Sequence, residues 1–362
     1  MSAHPQTNAA GTPGSRLGAY AQFLVAVVWF YVARSVSHRG ALGLASLSPS
    51  LSNELWTPLL EAAVLAFLLV VGYAGMGLML NHQLQPVSDQ GLPHRPGRGG
   101  EFGLGLAIGW ALAVVCVLPL VVGGGIAIVL SLQLSAWGWL LADGAFFALV
   151  ALTEEVVFRG YGFQRFERAV GPFGATCGFA AFYAIVQSAL PGANRASIAV
   201  AVALSLVLSS CYLRTRALWL SWGLNFGWKA SRALLFGLAV GGVNSHSSVV
   251  QGDPMGPFWL TGGGYGLDAS WISFLVLLAA LPVVHRLTRD LDYLYNAPVF
   301  VPGGMAVDLD AAARSQHEAA TLSAEPRPPA LVQIVPPPPM QPLPLRQAPP
   351  TDPVTEPADR PE

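Results

Sequence analysis

The densest chemistry in this sequence lies in one short run, Thr153-Glu154-Glu155-Val156-Val157-Phe158-Arg159. Two adjacent carboxylates in a low dielectric resist joint ionisation, which suits one of them to general-base work. Glu155 and Arg159 are four residues apart, the spacing at which helical side chains pair. Glu154 is one residue away, about 100° round the helix. The arginine can therefore hold one acid while the other faces a cavity.

Further polar residues stand in apolar surroundings: Gln187, Asn225, Lys229 and Arg232, with Glu61 and Asp143 on other segments. Ionisable groups inside a membrane are costly and face a partner or a wet cavity. Taking segment ends near Phe166, Phe173 and Ala217, a rise of about 1.5 Å per residue puts Glu154 and Lys229 about 18 Å in, Gln187 about 21 Å and Asn225 about 12 Å. The spacing thus predicts one common layer. A shared site and a structural polar knot both require that layer. Glu61 is expected to pair within the bundle, and Asp143 to sit near the outer end of its span. Trp219, Trp222 and Trp228 read as packing and interface anchors, and Cys116, Cys177 and Cys211, without CxxC spacing, as small apolar residues.

The elements that must position these groups are membrane helices. The chain has 362 residues, 53% of them hydrophobic and only 11% charged, where a soluble protein carries about a quarter charged. The apolar residues gather in runs of about twenty, the length that crosses a hydrocarbon core. Eight spans are expected, at 17–33, 56–80, 103–132, 137–166, 173–190, 197–213, 217–241 and 271–287. The third holds Pro119 and Gly123 to Gly125, which predict a kink or break. The fold class is all-α, a polytopic bundle over 16–289, with a disordered leader at 1–15. From about Asp290 proline becomes dense, including the run Pro336 to Pro339. Such composition predicts a disordered, polyproline-like tail over 290–362, a tether that could also dock a protein partner.

Arginine placement orients the bundle. Arg95, Arg98, Arg165, Arg168, Arg214, Arg216, Arg286 and Arg289 fall on one side, which the positive-inside rule makes cytoplasmic. The loop 242–270 has no Lys or Arg and belongs outside. Arg34, Arg39 and Arg195 dissent. Both termini are then cytoplasmic, in a bacterial-type inner membrane, with lipid as the surrounding partner. The net charge of −1 comes with no clustered basic face, so no nucleic-acid partner is expected.

The run Glu154-Glu155-x-x-x-Arg159-Gly160 resembles the first motif of the CPBP family, the CAAX-protease and bacteriocin-processing family, also called ABI. Downstream, LVLSSCYLRTRALW (206–219) and LSWGLNFGWK (220–229) look like that family's run into its last active-site helix. The resemblance covers about 141–238 and implies an eight-helix intramembrane peptidase acting on membrane-tethered or prenylated peptides. It implies that Glu154 activates a water, with histidines of two later motifs and an asparagine supporting the oxyanion or a metal. Those positions differ in this chain. The second motif aligns with Tyr183-x-x-x-Gln187, and the third with Asn225-x-x-x-Lys229. No histidine lies between His94 and His246.

Three readings follow. In a non-catalytic relative, Lys229, Arg159, Glu154 and Glu155 form a self-neutralising cluster, because an ammonium beside a carboxylate stabilises its charge and weakens it as a base. In an altered peptidase, Glu154 is the base, Glu155 and Arg159 orient, and the amides of Gln187 and Asn225 donate to the oxyanion. A transporter or ion pathway could also use these charges, though no inverted repeat of broken spans is present. No cofactor is expected; two glutamates without imidazole make a poor zinc site.

Overall fold

A computed structural model describes residues 13–47, 56–81, 88 and 90–296. The expected leader up to residue 12 and the proline-rich tail from 297 lie outside the described residues.

The described chain is a helical bundle. In order it forms α1 (Pro13–Ser46), α2 (Trp56–Asn81), α3 (Arg98–Val122), β1 (Ile126–Leu130), α4 (Leu134–Arg159), α5 (Tyr161–Ser188), α6 (Arg195–Thr215) and α7 (Trp219–Ala230). A π-helical turn (Ser231–Leu235) extends α7, and β2 (Val250–Pro254), α8 (Phe258–Thr261), α9 (Trp271–Leu287) and α10 (Arg289–Tyr295) follow. Helices α1, α2, α3 and α6 are each long and apolar enough to cross a membrane, and α9 is a shorter apolar helix. Large apolar side chains face outward: Phe67 is 66% exposed, Leu141 78% and Phe173 83%. Hydrocarbon satisfies such a surface, whereas all backbone polar groups must be paired within the helices. The protein is an integral membrane helical bundle, as its composition predicts.

Several boundaries differ from those expected: α1 runs on to Ser46 rather than ending at 33, and the seventh span turns π-helical after Ala230 and ends at Leu235 rather than 241. The third span does not run to 132: α3 stops at Val122, and 126–130 form strand β1, antiparallel to β2 with Ile126 opposite Pro254 and Leu130 opposite Val250. Pro119 lies inside α3, and Gly124 takes a positive φ of 72° just past its end. The fourth span also breaks. Helix α4 ends at Arg159 because Gly160 leaves helical geometry (ψ −137°), and α5 begins at Tyr161. Gly171, at φ 82°, bends α5 where Pro172 follows. Pro13 to Ser15, expected in the leader, open α1, and residues 290–295, expected in the tail, are helical in α10 (Arg289–Tyr295).

Two glycine pairs set the position of α7. Gly105 and Gly109 on α3 face Gly223 and Gly227 on α7, each pair at the four-residue spacing that lets membrane helices approach closely. A Cβ on Gly105 would stand 2.1 Å from the Leu220 carbonyl oxygen, and one on Gly223 would stand 2.1 Å from that of Phe102. This backbone-to-backbone seam fixes the depth and rotation of α7, which carries Asn225 and Lys229.

The two ends are tied differently. At one end, Arg95 grips Glu101 through Nε (3.0 Å) and Nη2 (2.6 Å) and donates to the Thr215 carbonyl, while Tyr295 of α10 donates to Glu101 at 2.7 Å. Arg214 pairs with Asp292 at 2.5 Å and Arg216 with Glu167 at 2.6 Å. At the other end, buried Asp143 of α4 accepts from the backbone N–H groups of His246 (2.8 Å) and Ser247 (2.9 Å) and meets the His246 ring at 2.9 Å. Glu61, expected to be paired, meets His38 of α1 at 3.0 Å.

Candidate active site

Five of the six residues singled out by sequence form one contiguous network. Arg159 is 0% exposed and donates from Nη1 to Glu155 Oε1 at 3.1 Å, the helical pairing its spacing implies. Its Nη2 reaches α6, donating to the Ser205 hydroxyl (3.1 Å) and the Ser205 carbonyl (3.3 Å). Arg159 therefore ties the end of α4 to the middle of α6 while neutralising Glu155.

Helix α7 supplies the other half. The Asn225 amide nitrogen donates to Glu155 Oε1 (2.9 Å) and to Glu154 Oε2 (3.0 Å), bridging the two carboxylates. Lys229, one turn further on, places Nζ 2.8 Å from Glu154 Oε1. Both oxygens of Glu154 thus face donors of α7. Asn225 Oδ1 is enclosed without a hydrogen-bond partner. Two acids and two bases, Glu154, Glu155, Arg159 and Lys229, balance within this cluster.

Gln187 is set apart. Its amide nitrogen donates to the Tyr265 hydroxyl at 2.7 Å, not to the carboxylates. Burial, more than nearby Asp268, pushes the Tyr265 hydroxyl's pKa up, so Tyr265 stays neutral across the physiological range. Gln187 still shares a cavity of about 170 Å³ with Glu154 and Lys229, whose walls include Phe147, Tyr183 and Ser197. Arg232 and Asp268 close one side of it: Arg232 donates to Asp268 at 2.6 Å, and Asp268 accepts from the Gly241 N–H at 2.9 Å. The depth expectation is corrected in part. Glu154, Asn225 and Lys229 do meet, but Glu154 lies only about one and a half turns from the end of α4, because the helix breaks at Gly160 rather than running to Phe166.

Sequence reasoning missed Ser205, Tyr265 and Asp268. Tyr265 and Asp268 sit in the 242–270 loop, whose lack of Lys and Arg and whose acids Asp253 and Asp268 read only as a sign of its outer side. Ser205 is one small hydroxyl residue among several on α6 and carries no spacing signal. Gly105, Gly109, Gly223 and Gly227 did carry one, their four-residue interval.

Carboxylates alone do not make a zinc centre, which favours Cys and His ligands beside carboxylate. Among the described residues, no group of three or more His, Cys, Asp or Glu stands together. An ammonium 2.8 Å from Glu154 also occupies the place a cation would take. The residues present do not fit a metal.

Residues 133–231 match a family model described as type II CAAX prenyl endopeptidase Rce1-like. No curated protein and no solved structure matches the chain. The matched stretch runs from the start of α4 into the π-helical turn, so it contains all six residues. The resemblance read from the Glu154 motif is borne out over this stretch, where this integral membrane protein is similar to the CAAX-protease type.

Proposed function

We propose that this protein is a non-catalytic member of the CAAX-protease type, keeping the intramembrane cavity but not the hydrolytic chemistry. The observation that carries this reading is the 2.8 Å contact between Lys229 and Glu154. A general base must offer a lone pair to a water within hydrogen-bond reach. Here one oxygen of Glu154 meets an ammonium and the other an amide N–H. Both oxygens are thus already engaged by donors of α7. The Asn225 amide nitrogen, committed to both carboxylates, has no donor left for a developing oxyanion.

In this reading the cavity binds a membrane-tethered or lipidated peptide without cutting it, and the protein acts as a scaffold or substrate-binding partner. Its aromatic and aliphatic walls suit such a ligand, and Gln187 and Ser197 supply polar contacts. The arginine-rich end faces the cytoplasm of a bacterial-type inner membrane, and both termini lie on that side.

Cleavage of a prenylated peptide by the purified full chain tests the proposal. Wild type and Glu154→Ala are expected to be equally inactive. Cleavage by wild type that disappears in Glu154→Ala would establish an altered peptidase instead.

A further inference from the structure

Three arginines of the described chain are buried: Arg159, Arg165 and Arg232. Arg159 meets Glu155 and Arg232 meets Asp268. Arg165, only 6% exposed, has no carboxylate or hydrogen-bond acceptor among the described residues, and its Nε is fully enclosed without a partner. Its one structural contact of note is the Tyr161 ring, with the guanidinium carbon 4.6 Å from the centroid. An aromatic face attracts a cation but accepts none of its five N–H bonds. A buried guanidinium left in that condition carries an uncompensated charge, which folded proteins avoid.

The neighbourhood adds positive charge. Arg168 is three residues on, on the same helix face as Arg165, and it is exposed. It has no ion-pair partner among the described residues. Glu167, the acid between them, is engaged by Arg216 at 2.6 Å. Both arginines lie in the segment of α5 between the breaks at Gly160 and Gly171, on the side where Arg95, Arg214 and Arg216 hold acids of their own. Two unpaired guanidiniums with planar, forked donors match the oxygens of a phosphate.

We propose that Arg165 and Arg168 form a binding site for the phosphate of an anionic phospholipid headgroup, with Arg165 as the fixed, Tyr161-stacked anchor and Arg168 as the exposed arm. The lipid source follows from position. The outward face of α5 beyond these arginines carries exposed apolar side chains such as Phe173 and Ile185, which acyl chains would cover. The bound phosphate supplies the anion that no acidic side chain provides.

Thermal unfolding of the full chain in dodecyl maltoside tests this, with dioleoylphosphatidylglycerol, dioleoylphosphatidylcholine or inorganic phosphate added. Phosphatidylglycerol is expected to raise the melting temperature of wild type saturably, and phosphatidylcholine and inorganic phosphate to do far less. Arg165→Gln and Arg168→Gln should each weaken the apparent affinity for phosphatidylglycerol by about fivefold or more. Arg168 is exposed, so Arg168→Gln reports even if Arg165→Gln fails to fold. An equal shift with phosphatidylcholine, a shift from inorganic phosphate alone, or a phosphatidylglycerol response unchanged in Arg168→Gln overturns the proposal.

Discussion

The charged layer in the middle of the bundle and the arginine-rich knot at its end use the same ingredients in different surroundings. In the middle, Arg159 and Glu155 are almost fully enclosed, and Glu154 and Lys229 are 23% and 12% exposed along their side chains. At the end, Arg214 meets an Asp292 that is 39% exposed, and Arg216 is itself 40% exposed. Water and salt screen these two end pairs, so each contributes little. Water barely reaches the Arg159–Glu155 pair, so each of its charges depends on the other, and removing one strands its partner. The same feature that makes the central cluster fragile makes it chemically quiet, since a mutually neutralised cluster leaves no free base.

This contrast can be broken in steps. The largest loss should come from Glu155→Ala, which strands the Arg159 guanidinium; about 3–5 kcal/mol is expected, measured by equilibrium unfolding in mixed micelles. Next is Gly105→Ala in the α3–α7 seam. The new methyl would press on the Leu220 carbonyl oxygen and force the helices apart, at about 1–3 kcal/mol. A smaller effect belongs to Glu154→Gln and Lys229→Met, because this pair is partly hydrated. Each should cost about 1–2 kcal/mol alone and the double variant less than the sum, read from a double-mutant cycle. Smallest is Arg214→Ala at the end knot, about 0–1 kcal/mol and shrinking further in added salt. A loss from Arg214→Ala as large as that from Glu155→Ala would dissolve the distinction between the two regions.

Much of the fold was legible in the sequence because long apolar runs have few alternatives to spanning a membrane. The Glu155–Arg159 pair was legible because four residues on a helix is a geometric statement. What failed to show were changes of backbone state inside an apolar run. Ile126 to Leu130 are at least as apolar as the helix before them, and periodicity alone does not separate a short apolar strand from buried helix. Gly160 stopped α4 early and upset the depth ruler, although Asn225 and Lys229 still reached Glu154. Gln187 was placed in the right layer, but its partner Tyr265 comes from a loop 78 residues away, and no local pattern announces such a contact. Asp143 was read as an outer-end residue, and its tie to His246 and Ser247 depends equally on a distant loop.

The central claim is that α7 silences Glu154 by presenting Asn225 and Lys229 where the resemblance implies histidine and asparagine. The most direct measurement is prenyl-peptide cleavage by the triple variant Gln187→His, Asn225→His, Lys229→Asn beside the wild type. The wild type is expected to show no cleavage above background, and the triple variant measurable cleavage that a further Glu154→Ala abolishes. Cleavage by the wild type at or above the rate of the triple variant, lost on Glu154→Ala, would contradict it.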